Sequence, residues 1–422
     1  MGRCGLHAGL LCLGTIASML LLIPVGNVAT AKSSDPVLRQ IATIVERDFY
    51  SPEVLRARDW EGMVASAERD LASASTPDQR TSVFHRLLAG LHTSHTEYFP
   101  RSDPRYWDLI SIFERGLRSG DSHCTDPSKL PASPIQVREI GVWWRREGDS
   151  WFVGGLFDQG PAQRAGLRVG DEVLAADGKP FGPITAFADG PVRAVRLQYR
   201  RSRGGTLAST RVTPRLSAPL AVHATATRAS ARLLERDGAR IGYVRLWSGV
   251  GDAPSEARSA VRELNTKAPD AFILDLRDGW GGVPPEFISV FDRSVPVLVS
   301  NTRGGETFRF DGQIRVPTIV LINEGVRSGK EVLAYAIQKH KLATLLGTAT
   351  PGAMLPGTAY CLDDGAVLYL AVGTTTIDGE MREGRPVQPD ISVPFDTRWS
   401  AGEDPQLEAA IAHLSKRPPR GE

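Results

Sequence analysis

The sequence predicts a mixed chain of three folded parts: a helical N-terminal domain, a small β-rich domain inserted after it, and an α/β core built of βαβ units. Two observations carry that reading. Apolar residues recur at helical spacing up to about residue 91, then switch to short alternating runs between glycine turns from about 140 to 199. Beyond residue 235, continuous apolar runs alternate with amphipathic helical stretches.

At 422 residues, 23% charged and with a net charge of +2, the chain has room for two or three domains. It shows neither the basic excess of a nucleic-acid binder nor an acidic tail. Residues 1–31 have a secretory layout: Arg3 in a short n-region, an apolar stretch from about Leu10 to Val25, and Ala29-Thr30-Ala31 before Lys32. Pro24, Gly26 and Asn27 interrupt the apolar run, so a cleaved leader is expected and the membrane is met only in transit. The expected destination is the periplasm or the exterior. Leu11 before Cys12 stands where lipidation favours a small residue, so no lipid anchor is expected. Cleavage leaves Cys124 and Cys361 in a compartment that permits a disulfide, although their separation says nothing of proximity. Neither has metal-ligand spacing, and no metal or organic cofactor is expected.

Residues 32–100 form the helical domain, because Asp35-Pro36, Ser51-Pro52 and Thr76-Pro77 each put a capping residue before proline at the first helical position. Residues 101–135 carry scattered prolines and one apolar patch, and read as a connector with a short helix near 106–113. Residues 136–203 are the β-rich domain, with strands near 151–156, 172–176 and 192–197. A polar connector is expected over 204–234. The core, 235–400, takes strands near 240–247, 271–276, 317–322, 342–346 and 367–372, with helices near 253–265 and 331–340. Residues 401–422 give a last helix opened by Asp404-Pro405, and a tail.

Ser328 stands between the apolar run 317–322 and the helical pattern 331–340. A helix N-terminus offers unpaired N–H groups and the positive end of a dipole, where an oxyanion would be stabilised. The same serine, with Glu331 three residues on, also fits a capping box, and capping is the commoner role for such a residue. Asp275-Leu276-Arg277-Asp278-Gly279-Trp280-Gly281-Gly282 follows the apolar run 271–276 directly. Glycines there let N–H groups face a cleft, or serve a tight turn. The spacing does not give the dinucleotide fingerprint G-x-G-x-x-G.

Residues 158–174, with Gly160-Pro161-Ala162, Ala165-Gly166-Leu167 and Gly170-Asp171, resemble the PDZ domain of bacterial exported proteases. That resemblance implies a peptide adding to a sheet edge near Ile140, Gly141 and Val142, with its carboxylate in a backbone nest. A spacer domain that binds nothing is the alternative. Asp275-Leu276-Arg277 with its glycine pair, then Asn323-Glu324-Gly325 and Ser328-Gly329-Lys330-Glu331, resemble the tail-specific (C-terminal-processing) serine peptidase family over most of the mature chain. This implies an α/β protease core of the ClpP/crotonase type, Ser328 as nucleophile, and an oxyanion hole from the N–H groups of Gly281 or Gly282 and of Gly329.

Members with a Ser-Lys dyad carry Phe-Gly-Lys where this chain has Pro351-Gly352-Ala353, so the dyad lysine is missing. Lys330 is expected to point away on the helix, and neither it nor Lys339 or Lys341 is expected to be buried enough to lose its proton near neutral pH. Leu91-His92-Thr93-Ser94-His95-Thr96 resembles the Leu-x-x-Ser-His-Thr motif of the tricorn-core branch instead. Glu383-Gly384-Arg385-Pro386-Val387-Gln388-Pro389-Asp390 resembles its Glu-Gly-x-x-Val-x-Pro-Asp motif. The resemblance implies His95 as base, with Ser94 and Glu383 completing a relay in which Glu383 acts on His95 directly or through Ser94. His92 and Glu380 are near competitors. Asp275 and Asp390 are expected to be structural, and Arg277 to pair with a carboxylate.

The expected function is an exported serine-type endopeptidase that cleaves unfolded or tail-exposed polypeptides through an acyl-enzyme, with polypeptide substrates and no nucleic-acid partner. The competing expectation is a non-catalytic peptide- or ligand-binding protein of the same fold.

Overall fold

The computed structural model describes residues 33–119 and 123–416. The predicted leader, its cleavage site and the residues after 416 lie outside them.

Helices Pro36–Asp48, Pro52–Ala57, Trp60–Ser73 and Pro77–Ala89 open the described chain, and the proline signals mark three of their starts. The Asp35 carboxylate accepts from the Val37 and Leu38 N–H groups at 3.0 Å each. Thr76 and Gln79 form a complete capping box. Leu38, Ile41, Phe84 and Leu88 bury into one cluster with Tyr360, Leu368 and Leu370 from far along the chain. These helices therefore pack on a three-stranded antiparallel sheet, ordered Glu97–Phe99, Val367–Ala371, Gly357–Cys361. The run at 367–372, expected in the main sheet, belongs to this one instead. A continuous apolar run marks burial on both faces and does not name the partner strand.

The main sheet is ordered Arg232–Arg236, Ala239–Arg245, Ala271–Asp275, Thr318–Ile322, Thr344–Gly347, Ile391–Ser392; the first pair is antiparallel and the rest are parallel. Helices Ala253–Asn265 and Gly329–Lys339 share a buried cluster with one face, and Pro405–Ser415 covers the other. Because Ala271–Asp275 and Thr318–Ile322 are parallel neighbours, their C-terminal ends lie side by side. The glycine segment and the Ser328 loop thus emerge at one end of the sheet.

A separate antiparallel sheet is ordered Val142–Glu147, Ser150–Leu156, Glu172–Ala176, Val195–Arg200, Ala208–Val212, with Lys179–Pro180 paired to the third strand. It has its own core, including Ile140, Val153, Leu167, Phe187 and Leu197. Two stretches expected as connectors are built into the structure. Residues 204–234 contain Ala208–Val212 and the helix Pro219–Ser230, whose buried side is mostly small residues such as Ala224 and Ala226, too weakly apolar for a clear period. Residues 101–135 contain Pro104–Ile112, which buries Tyr106, Leu109 and Ile110, and Cys124, which forms a disulfide with Cys361.

Candidate active site

Ser328 ends the loop after Thr318–Ile322 with φ 55° and ψ −131°, a conformation that residues with a side chain avoid. Two backbone bonds fix it: its N–H donates to the Ala353 carbonyl at 2.7 Å, and its carbonyl accepts the Val332 N–H at 3.0 Å. The capping box expected of Ser328 and Glu331 does not form. An N-cap side chain works from extended backbone, which these dihedrals exclude, and the Ser328 side chain caps no N–H. Glu331 is instead fully buried and accepts from the Thr350 hydroxyl and from the N–H groups of Gly352 at 2.7 Å and Ala353 at 2.6 Å. Burial raises its carboxyl above the ordinary range. Glu331 thereby fixes the segment whose carbonyl holds Ser328, and the Ser328 hydroxyl is left without a hydrogen bond among the described residues.

The three predicted glycines converge beside this serine. A Cβ on Gly281 would lie 2.6 Å from the Ser328 Cβ, and one on Gly329 would lie 2.5 Å from the Val283 nitrogen. A side chain at either position would force the loop and the helix start apart. Gly282 has φ +79°, and its missing side chain would strike Val250. Among the described residues, the N–H groups of Gly281, Gly282 and Gly329 donate to no backbone acceptor. Donors held free beside a serine at a helix start can stabilise a developing oxyanion.

Lys330 overturns its expectation. It is fully buried, and its Nζ donates to the carbonyls of Asp278 at 2.8 Å and Leu276 at 3.3 Å. Burial, reinforced by the Arg245 charge, pulls it down to about 7. Helical geometry correctly turns it away from the Ser328 hydroxyl, with which it makes no hydrogen bond, but it turns inward beneath the glycine segment and not to solvent. The sequence signal was a lysine in the first turn of a helix that must bury its start against a glycine-rich run.

His95 is buried at 7% exposure, whereas His92 on the same turn is exposed. Its Nδ1 lies 2.9 Å from the Ser94 hydroxyl. Glu383 makes no bond to the ring. One of its oxygens accepts the Ser94 N–H at 3.0 Å, and the other accepts the N–H groups of Met354 at 2.7 Å and Leu355 at 3.2 Å. Glu380, the competitor, is exposed beside Arg382 and Arg385. The Tyr369 ring packs edge-on to His95 at 5.2 Å, a neighbour that no motif singles out. Burial, then the Arg327 charge, pulls His95 down to about 4, against the opposing pull of Glu383 and Glu97. Arg327, next to Ser328, lies 3.7 Å from Glu97, two residues past His95, so the serine loop and the histidine turn meet there. No hydrogen bond joins the Ser328 hydroxyl to His95 among the described residues.

The supporting residues take their expected places. Arg277 pairs with Asp275 and Asp404, each at 2.7 Å. Asp390 accepts the Leu345 N–H at 2.8 Å. Ile140, Gly141 and Val142 lie at the start of the edge strand Val142–Glu147, in the separate antiparallel sheet.

Residues 240–393 match the model of peptidase family S41. Carboxyl-terminal-processing peptidase 2, chloroplastic, of Arabidopsis thaliana is 31% identical over 236 residues, 50% of this chain and 44% of the relative. A carboxyl-terminal-processing protease of Synechocystis sp. is 30% identical over 223 residues, 50% and 51% of the two chains. The chain spans about half the length of the curated relatives it matches. The chain also superposes on the crystal structure of the tricorn protease with a TM-score of 0.52 at 17% identity, covering 90% of this chain and 36% of tricorn, a likeness of fold.

Proposed function

We propose that this chain is an exported serine-type endopeptidase acting on polypeptides through an acyl-enzyme. The observation that carries the reading is Ser328 itself: a residue with a side chain kept at positive φ, its hydroxyl unbonded, beside three glycines with free N–H groups. Ser328 Oγ attacks the peptide carbonyl, and His95 takes its proton through Nε2, since Nδ1 is engaged by Ser94. The oxyanion is held by the N–H groups of Gly329 and of Gly281 or Gly282. His95 then donates the proton to the departing amine as the C–N bond breaks. His95 then deprotonates a water that attacks the acyl carbon, and passes that proton to Ser328 Oγ as the ester C–O bond breaks and the acid leaves. Glu383 acts at one remove, fixing the Ser94 backbone and so the face His95 presents. The open Ser328–His95 pair suits a catalytic bond that tightens when substrate binds.

The sheet from 142 to 212 is read as a PDZ-like peptide-binding domain with Ile140, Gly141 and Val142 at its mouth, and the helices before residue 100 as the domain that delivers His95. The predicted leader and the Cys124–Cys361 disulfide support a periplasmic or secreted location. The test is hydrolysis of an unfolded protein together with labelling by a fluorophosphonate. Wild type should do both; Ser328→Ala should do neither while keeping its circular dichroism and melting temperature. Hydrolysis retained by Ser328→Ala would exclude this mechanism, and an unlabelled, inactive wild type would favour a binding protein of the same fold.

A further inference from the structure

Between the core strands Ala271–Asp275 and Thr318–Ile322 the chain sends out a hairpin of Leu298–Asn301 and Thr307–Phe310. Among the described residues these two strands pair only with each other, and every residue from 298 to 310 is exposed. The cross-strand register puts Leu298, Ser300, Phe308 and Phe310 on one face and Val299, Asn301, Thr307 and Arg309 on the other. On the first face Leu298 is 60% exposed, Phe308 48% and Phe310 57%. A two-stranded hairpin alone is marginal in water, but this one is held at its root. Arg315 donates to the Arg293 carbonyl at 2.9 Å, to the Val295 carbonyl, and through Nε to Asp311 at 3.0 Å. Asn265 donates to the Asp311 and Gln313 carbonyls at 2.9 and 2.8 Å. The root is fixed, and the apolar flank beyond it is uncovered.

Beside the root lies an open groove of about 830 Å³, with Ile288, Phe291, Ile314 and Leu342 as its apolar lining and the exposed Asp292, Arg293 and Lys341 around them. Area decides what could cover both features. The flank exposes on the order of 300 Å² of apolar surface, and a stable interface covers about 800 Å² per partner. Two flanks stacked face to face therefore fall short. An exchange about a two-fold axis counts each feature twice, because every copy gives an arm and receives one in its groove, and such a contact closes on itself. The charges are also self-complementary. Arg303 and Glu306 at the turn of the hairpin, and Arg293 and Lys341 at the groove, are exposed and make no ion pair among the described residues. A carboxylate at the end of an arm thus has two unpaired cations to meet at a groove. A lipid surface fits less well, since the turn at 302–306, which would enter it first, is polar and charged.

We propose that residues 298–310 are a dimerisation arm: in a two-fold pair of chains, each lays its Leu298, Phe308 and Phe310 flank in the groove of the other, with Glu306 facing Lys341 of the partner subunit. This holds whether or not the chain is a peptidase. Sedimentation equilibrium of the purified protein from about 1 to about 100 µM tests it, and should show a monomer–dimer equilibrium. Phe308→Ser with Phe310→Ser should weaken pairing at least about tenfold with an unchanged circular dichroism spectrum, since neither side chain is buried. Glu306→Lys and Lys341→Glu should each weaken it about threefold, and the two together should return it to within about twofold of the parent. A protein that stays monomeric to about 100 µM, or a dimer unmoved by the two phenylalanine changes, would overturn the inference. Assembly that continues past two copies would replace the two-fold exchange with an open head-to-tail contact. A monomer that floats with phosphatidylglycerol vesicles would give the arm to a membrane instead, and a doubly reversed variant weaker than either single one would remove the Glu306–Lys341 contact.

Discussion

Ser328 is fixed by residues close to it in sequence, whereas His95 is fixed by residues from the other end of the chain. Glu331, on the same helix, reaches Gly352 and Ala353 across only 21 and 22 residues, and Lys330 reaches Asp278 across 52. These bonds are buried and join the ends of adjacent parallel strands. The histidine turn is secured by a three-residue strand, Glu97–Phe99, and by Glu383, which is 289 residues from Ser94. The Ser328 half is therefore part of the core and forms with it. The His95 half depends on the N-terminal helices docking on a different sheet, so it is the half that substitutions should displace without unfolding the protein.

His95→Ala should produce the largest loss, about 10⁴-fold or more in kcat/KM, with the melting temperature unchanged. A loss under about tenfold would mean that the two halves do not act as one unit. Glu383→Gln keeps the shape but weakens three N–H bonds, and should cost on the order of 10²-fold through misplacement of His95, chiefly in kcat. Exchange of the Ser94 amide hydrogen should quicken in that variant; unchanged exchange would contradict the positioning role.

Lys330→Met tests the core half. It leaves the Leu276 and Asp278 carbonyls without their donor, so roughly a tenfold fall in kcat is expected with KM held, as the glycine segment loosens. A loss as deep as that of His95→Ala would instead make Lys330 the base. The smallest effect is on pH dependence. His95 must be neutral to accept a proton, and its value near 4 means that activity is present at neutral pH and lost only as pH falls through about 4. Arg327→Ala removes a neighbouring positive charge, so His95 should be protonated more readily and the acid limb should move up by less than about one unit. A limb that moves down would contradict the placement of Arg327.

Much of this architecture was legible because its signals are local. Proline after a capping residue marked three helix starts, and the continuous run 317–322 marked a strand buried on both faces. Ser328, Gly281 and Gly329 were singled out together by their resemblance to the motifs of C-terminal-processing peptidases, and the close approach of backbone there is why only small residues fit. Other features were not legible. The small-residue helix Pro219–Ser230 lacks a strong apolar period, and His223 within it meets Asp108 only when segments more than a hundred residues apart pack together. Lys330 read as a surface residue, because a lone lysine on a helix carries no mark of the carbonyls waiting beneath it.

The sequence by itself determined where strands end and helices begin, that Ser328 stands at such a junction, and which motif residues were candidates for its partners. Only the tertiary structure decided that the hydroxyl is not a cap, that His95 and not His92 is turned inward, that Glu383 meets Ser94 through its backbone, and that Lys330 is buried. The physical reason is range. Helix starts and strand runs follow from dihedral preference and periodicity within a few residues. Burial, hydrogen-bond partners and the charge state of an imidazole or an amine depend on groups brought together only when distant segments pack.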